Sequence, residues 1–150
     1  MRAEGTKRFT ASREEVYRAA VDPERLMPSI FGVEGVEVVG DAQWLVRVRV
    51  PLGLTSLRAK LSVERVEERP PEHARLRGSG RGVGGSVAFD TTFDLADADG
   101  GGTDMRYVIE LQLGGVAGAA AGRVLQPVLQ HQADALLARL ERDLSRAADD

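Results

Sequence analysis

The apolar residues in the last third of the chain fall on one face of a helix. Between Val116 and Leu144 they recur at steps of three or four, at Leu125, Leu129, Ala133, Leu136, Leu140 and Leu144. This spacing draws one stripe along an α-helix. A helix of that length, roughly 40 Å at the standard rise per residue, needs an apolar surface to lie on. The sequence therefore predicts that the preceding residues supply such a surface.

Between Gly32 and Gly115 the apolar period changes to two. Six segments alternate apolar with polar or charged residues, which is typical of strands with one buried face. Short turns rich in Gly, Pro and Asp separate them, and short connections join antiparallel neighbours. With a first strand ending near Phe9, the chain predicts six to seven antiparallel strands. Because such a sheet has one apolar face, it can curve around the C-terminal helix and enclose a cavity.

Two short helices are predicted between the first strand and the rest. Ser12 followed by Glu15 is a capping box, which begins a helix. Asp22 followed by Pro23 places a capping side chain before a proline at the first helical position. The fold class is therefore α+β, as one domain over residues 1–150.

Composition excludes several classes of function. A net charge of −3 gives no reason to expect nucleic-acid binding. The absence of cysteine fits a reducing compartment. Neither a signal peptide nor an apolar run of membrane-spanning length is present. We therefore expect a cytoplasmic protein.

Three features that could carry chemistry favour a structural interpretation. Gly80 to Gly85 has the glycine pattern of a dinucleotide fingerprint, but a strand pattern follows where that site needs a helix. A glycine-rich connection or a bulge that bends the sheet is favoured. Pro127 indicates a bend in the last helix or the start of its main part. His73 is interpreted as an exposed turn residue, and with His131 far along the chain no metal site is predicted.

No catalytic residue or cofactor is predicted either. The alternation places most carboxylates, including Asp94 and Glu110, on the polar face of the sheet. No nucleophile motif accompanies the Ser and Asp residues.

Several segments, taken in order, resemble one known family. They are Phe9-Thr10-Ala11-Ser12, Asp22-Pro23-Glu24-Arg25-Leu26, Ser29-Ile30-Phe31-Gly32, Gly78-Ser79-Gly80-Arg81-Gly82, Gly101-Gly102-Thr103 with Tyr107, and Leu113-Gly114-Gly115. On these segments the chain resembles the CoxG family of carbon monoxide dehydrogenase subunits across nearly its whole length. Ser29 and Phe31 depart from the Cys and Pro of the family pattern. The resemblance implies the helix-grip fold shared by START and Bet v 1-like domains.

The resemblance also implies a cavity between sheet and helix, and a role beside a molybdenum-containing dehydrogenase at the inner face of the membrane. We hypothesise non-enzymatic binding of an apolar small molecule, a quinone or a lipid. The expected lining is Leu57, Leu61, Phe89, Phe93, Tyr107, Ile109, Leu129 and Leu136. Alternation alone does not separate a cavity from a filled core.

Two alternatives stay open. One is a cyclase- or hydrolase-like enzyme on the same fold, which would need an inward polar pair such as Tyr107 with His131. The other is an interaction protein with a filled core, whose surface binds a dehydrogenase or a second copy of itself as a homodimer.

Overall fold

The computed structural model describes residues 1–52 and 54–149, with the backbone alone at residues 52, 55, 116, 117, 119–121, 123, 148 and 149. Of the predicted domain, Gly53 and Asp150 lie outside the described residues. The elements in chain order are β1 Arg2–Phe9, α1 Arg13–Ala20, α2 Pro23–Leu26, a 3₁₀ turn Met27–Ser29, β2 Val33–Gly40, β3 Gln43–Leu52, β4 Thr55–Arg69, β5 His73–Val83, β6 Gly85–Asp97, β7 Thr103–Gly114 and α3 Val116–Asp149.

The seven strands form one antiparallel sheet in the order β1-β7-β6-β5-β4-β3-β2. Strands β2 to β7 pair with their neighbours in sequence, as short turns require. Strand β1 instead pairs with β7, from Arg2 opposite Glu110 to Phe9 opposite Thr103. The predicted antiparallel sheet, the long C-terminal helix and the two short helices after the first strand are confirmed.

Capping side chains begin both short helices at the predicted positions. The Ser12 hydroxyl accepts a hydrogen bond from the backbone N–H of Glu15 at 3.3 Å. The Asp22 carboxylate accepts one from the N–H of Glu24 at 3.1 Å, with Pro23 at the start of α2. These bonds satisfy N–H groups that a helix leaves free in its first turn.

The glycine-rich segment lies mostly inside strand β5 and opens no helix. Gly80 pairs with Val87 and Gly82 with Gly85 across the β5–β6 hairpin. A Cβ atom at Gly80 would overlap the carbonyl oxygen of Lys60, and one at Gly82 that of Arg58. Glycine is therefore needed because β5 crosses the backbone of β4 too closely for a side chain, where the sheet bends.

Helix α3 begins at Val116, directly after Gly115, whose φ of +76° suits glycine. Pro127 lies inside the helix and not at its start. The far half of α3 is fastened to the end of β1, because Glu141 accepts hydrogen bonds from the Thr10 N–H at 2.9 Å and the Thr10 hydroxyl at 2.7 Å.

Buried apolar side chains form two clusters on the helix-facing side of the sheet. The first joins α1 and the far half of α3 to β1, β5, β6 and β7, and it includes Phe9, Val16 and Leu144. The second lies mainly on β3 and β4, and it includes Trp44 and Leu57. Phe89 packs against both clusters and is only partly buried. Because the core is divided in this way, space remains between the clusters under the middle of α3.

Candidate functional site

A cavity of about 520 Å³ lies between the sheet and α3. Its wall includes inward side chains of β3 to β7, one face of α3, and residues of α2 and the 3₁₀ turn. Nearly all the lining side chains are apolar. The polar residues among them are Ser29, Thr91, Tyr107, Gln132, Arg139 and Arg142. This volume lies in the range of small-molecule sites, which are about 300–1,000 Å³.

Seven of the eight residues predicted from the sequence line this cavity. They are Leu61, Phe89, Phe93, Tyr107, Ile109, Leu129 and Leu136. Leu57 is not among the lining residues, since its side chain is fully buried in the β3–β4 cluster. Leu57 and Leu61 share the inward face of β4, so alternation places both on one surface although they differ in their distance from the cavity.

The aromatic lining residues come together on β6 and β7. Phe93 stands directly opposite Tyr107 in the β6–β7 register, and Phe89 lies one inward position beyond Thr91. Tyr17 of α1 packs its ring edge against Phe93, with ring centroids 5.9 Å apart. This contact fixes Phe93 from behind, while the partly buried Phe89 covers the bare backbone of Gly78. Two phenylalanine rings are therefore held beside the cavity, where they can flank a flat ligand.

The cavity opens between α3 and the segment after the 3₁₀ turn. Phe31 lines the cavity and is also 52% exposed. Across from this segment, Ala135, Arg139 and Arg142 of α3 are both lining and exposed. Phe31 was not predicted as a site residue, because it lies in an irregular segment where no periodicity indicates its direction.

Other lining residues could have been found from the alternation already described. Val46 and Val48 share an inward face with Trp44, and Leu76 and Val87 occupy inward positions on the next strands. Met27 and Ile30 close the end near the short helices. The predicted site was therefore too small on the side of β3 and of the 3₁₀ turn.

Tyr107 directs its hydroxyl into the seam between β1 and α3. The hydroxyl accepts a hydrogen bond from Gln130 Nε2 at 2.9 Å and donates one to Asp134 Oδ1 at 3.1 Å. The Gln130 Oε1 accepts the backbone N–H of Glu4 at 3.2 Å. Burial raises the pKa of Tyr107 above its ordinary value; the bond from Gln130 lowers it, and Asp134 raises it. The hydroxyl thus has its partners in the seam, and the ring faces the cavity.

The polar pair considered for an enzyme, Tyr107 with His131, is replaced by Tyr107 with Asp134. His131 is exposed on α3. Gln130 and Asp134 are not lining residues, so this pair adds little polarity to the cavity wall. The Thr91 hydroxyl is likewise engaged, since it donates to the carbonyl oxygen of Val108 at 3.1 Å.

The outer face of the sheet carries a network of charges around His73. His73 is not the exposed turn residue that was expected: it begins β5, with Nδ1 2.8 Å from Asp94 and Nε2 3.2 Å from Glu67. Arg75 makes a bidentate ion pair with Asp90 and also bonds Glu67. Arg75 lowers the pKa of both Asp90 and Glu67. Within the described part of the chain, no cluster of three His, Asp or Glu side chains is arranged to hold a metal.

Solved structures show the class of protein that this fold defines. A conserved protein from Geobacillus kaustophilus is 20% identical, with a TM-score of 0.82 over 98% of this chain and 97% of that one. A START superfamily protein from Mycobacterium smegmatis is 12% identical, with a TM-score of 0.64 and 97% and 98% covered. Norcoclaurine synthase from Thalictrum flavum is 12% identical, with a TM-score of 0.58 and 93% and 85% covered. The fold is therefore that of the START and Bet v 1-like proteins.

The family itself is shown by sequence. The family described as the CoxG subunit of carbon monoxide dehydrogenase matches residues 5–145. The chain belongs to the CoxG family. No curated protein matches it. Family and fold together indicate a ligand-binding or accessory role. In the described part of the chain, no helix combines the length and the apolar character needed to cross a membrane.

Proposed function

We propose that the protein binds an apolar small molecule, a quinone or a lipid, in the cavity under α3 and does not turn it over. The cavity of about 520 Å³ with an almost wholly apolar lining carries this proposal. Such a site recognises a ligand by removing apolar surface from water. Support also comes from Tyr107, whose hydroxyl is occupied by Gln130 and Asp134 outside the cavity.

The expected affinity follows from the ligand's buried carbon atoms. A chain of about ten methylenes contributes about 8 kcal/mol at roughly 0.8 kcal/mol each. Association costs about 4 kcal/mol or more, which leaves a bare chain near millimolar affinity. A flat ring beside Phe89 and Phe93 adds several kcal/mol of apolar burial and brings the affinity toward micromolar. A molecule with both a ring and a chain is therefore the preferred ligand.

The proposal includes an accessory role beside a molybdenum-containing dehydrogenase, as the CoxG resemblance implies. We place the protein in the cytoplasm and at the inner face of the membrane, because water-insoluble quinones and lipids reside there. Co-purification of a tagged chain from its native host tests the partner. Recovery of a second copy of the chain alone would favour a homodimer over a dehydrogenase complex.

Ligand extraction and a thermal shift assay test the cavity. The Leu129→Trp variant fills the cavity from the helix side, whereas Val124→Trp places the same ring on an exposed position of the same helix. We expect organic extracts of the wild type and of Val124→Trp to contain a quinone or lipid, and those of Leu129→Trp to lack it. A short-chain quinone should raise the Tm of the first two proteins only.

Two results would replace the proposal. If no ligand is extracted and no quinone or lipid raises the Tm, the filled-core interaction protein is favoured. If incubation with bound ligand yields a chemically changed product, the protein is an enzyme on this fold.

A further inference from the structure

The charges of this chain are separated along the sequence. Three stretches, 42–63, 73–89 and 111–133, contain eight of the 20 Lys and Arg residues and none of the 23 Asp and Glu residues. The remaining segments therefore hold twelve basic and all 23 acidic residues. A net charge of −3 thus conceals a basic part of +8 and an acidic part of −11.

The fold brings these three stretches to one end of the sheet. The first spans the β3–β4 hairpin and the second the β5–β6 hairpin, and both hairpins turn at the same end because Arg58 pairs with Val83. The third begins at the end of β7, where Gly115 contacts the backbone of Gly85. The acid-free stretches therefore share one end of the molecule.

Cations of this end stand opposite one another on the outer face of the sheet. In the β3–β4 register Arg47 faces Lys60 and Arg49 faces Arg58, and Arg81 lies on the same face of β5. Like charges directly opposite are destabilising. Among the described residues, none of these five cations forms an ion pair, unlike Arg75 farther along β5. The acidic side chains of the neighbouring strand β2 border this surface.

Apolar side chains project from the tips of the same hairpins. Leu54, at the β3–β4 turn, is fully exposed, and Val83, at the end of β5, is 76% exposed. We call these two residues with Arg47, Arg49, Arg58, Lys60 and Arg81 the basic end. Exposed apolar groups beside unpaired cations are a combination that suits a bilayer, with cations at the headgroups and apolar groups below them.

We propose that the basic end docks on the surface of an anionic lipid membrane. The charges fit the anionic headgroups, and the Leu54 and Val83 tips distinguish this partner from nucleic acid, which offers them no apolar phase. The opening of the cavity lies near this end, because Gly32, next to Phe31, packs against Val50 and the carbonyl oxygen of Arg49. The inference rests on the membrane contact in the proposed function, and it assigns the surface that makes it.

Vesicle sedimentation tests the assignment. The full chain is mixed with vesicles of phosphatidylcholine alone, or of phosphatidylcholine with phosphatidylglycerol. Binding is expected only to the second kind, and it should weaken as salt is added. The Arg49→Gln/Arg58→Gln variant should bind roughly 30-fold more weakly, from about a factor of five for each cation near an anionic surface. Arg18→Gln/Arg25→Gln changes two exposed cations away from the basic end and should bind as the wild type does.

Folding does not confound these variants. Removing Arg49 and Arg58 relieves a like-charge pair, so the Tm of that variant should stay constant or rise. Leu54→Ser should also weaken vesicle binding, while Val39→Ser, an exposed position on β2, should not. The inference is wrong if the wild type ignores phosphatidylglycerol vesicles at low salt, if both double variants lose binding equally, or if duplex DNA binds more tightly than vesicles.

The cavity is measured separately on the same proteins. A short-chain quinone should raise the Tm of the wild type and of Arg49→Gln/Arg58→Gln alike, because neither arginine lines the cavity. Quinone protection without vesicle binding would overturn the docking surface alone. Vesicle binding without quinone protection would overturn the cavity proposal alone.

Discussion

Two leucines of α3 should respond very differently to the same truncation. Leu144 is 6% exposed and belongs to the core cluster around Phe9 and Val16. Leu136, two helical turns earlier, is partly buried and lines the cavity. A change to Ala alters helix propensity equally at both positions, so any difference in stability reports their surroundings.

The size of the difference follows from what each side chain touches. Leu144→Ala removes three carbons from packed surroundings, about 2.4 kcal/mol at 0.8 kcal/mol per carbon, and adds the cost of a new cavity. We expect a loss of about 3 kcal/mol for Leu144→Ala. Leu136→Ala enlarges space that already exists, so its loss should be about 1 kcal/mol. For a chain of this size these values correspond to Tm decreases of about 6–12 °C and 2–4 °C.

Thermal and urea unfolding of the two variants beside the wild type measures the difference. The protein must first be stripped of bound apolar molecules, because a ligand that binds the folded state raises its stability. Equal losses near 3 kcal/mol would refute the reasoning, because Leu136 would then be packed as tightly as Leu144. In that case the space under the helix would be filled in solution.

Two further predictions concern the sheet. Gly80→Ala should greatly lower the Tm or the yield of folded protein, because its Cβ would overlap the Lys60 carbonyl; Gly122→Ala, in an open helical position, should raise stability by up to about 1 kcal/mol. Arg75→Gln should lower the Tm at neutral pH, because Asp90 loses the partner that depresses its pKa. A depressed carboxylate pKa stabilises the fold above the unfolded-state pKa, so the two Tm curves should converge as the pH falls below about 4.

The change of apolar period predicted most of the fold. Alternation marks the inward faces of β3 to β7, and the stripe from Leu125 to Leu144 marks the face of α3, because both depend on local geometry. The start of α3 was predictable from Gly115 for the same reason. Depth was not predictable: Leu57 and Leu61 differ only through the curvature of the sheet, which depends on the contact of Gly80 with β4.

The polar part of the site depended on long-range contacts. Tyr107 was expected in the lining, but its partners Gln130 and Asp134 depend on how α3 is rotated against β1. These two residues are separated by four positions and flank the apolar stripe, so their proximity to each other was readable. Their contact with Tyr107 was not readable, because no local pattern links residues on β7 and α3.

The pairing of β1 with β7 has a consequence for biosynthesis. Phe9 reaches its partner Thr103 only after nearly the whole sheet has been made, and Thr10 waits still longer for Glu141. At about 5–20 residues per second, the first strand leaves the ribosome roughly 5–20 s before its partner strand exists. During that interval the edge of β1 and the apolar inner face of the sheet have no cover. The nascent chain is therefore a candidate substrate for ribosome-associated chaperones, and folding should be slow for a domain of this length because its contacts join distant parts of the chain.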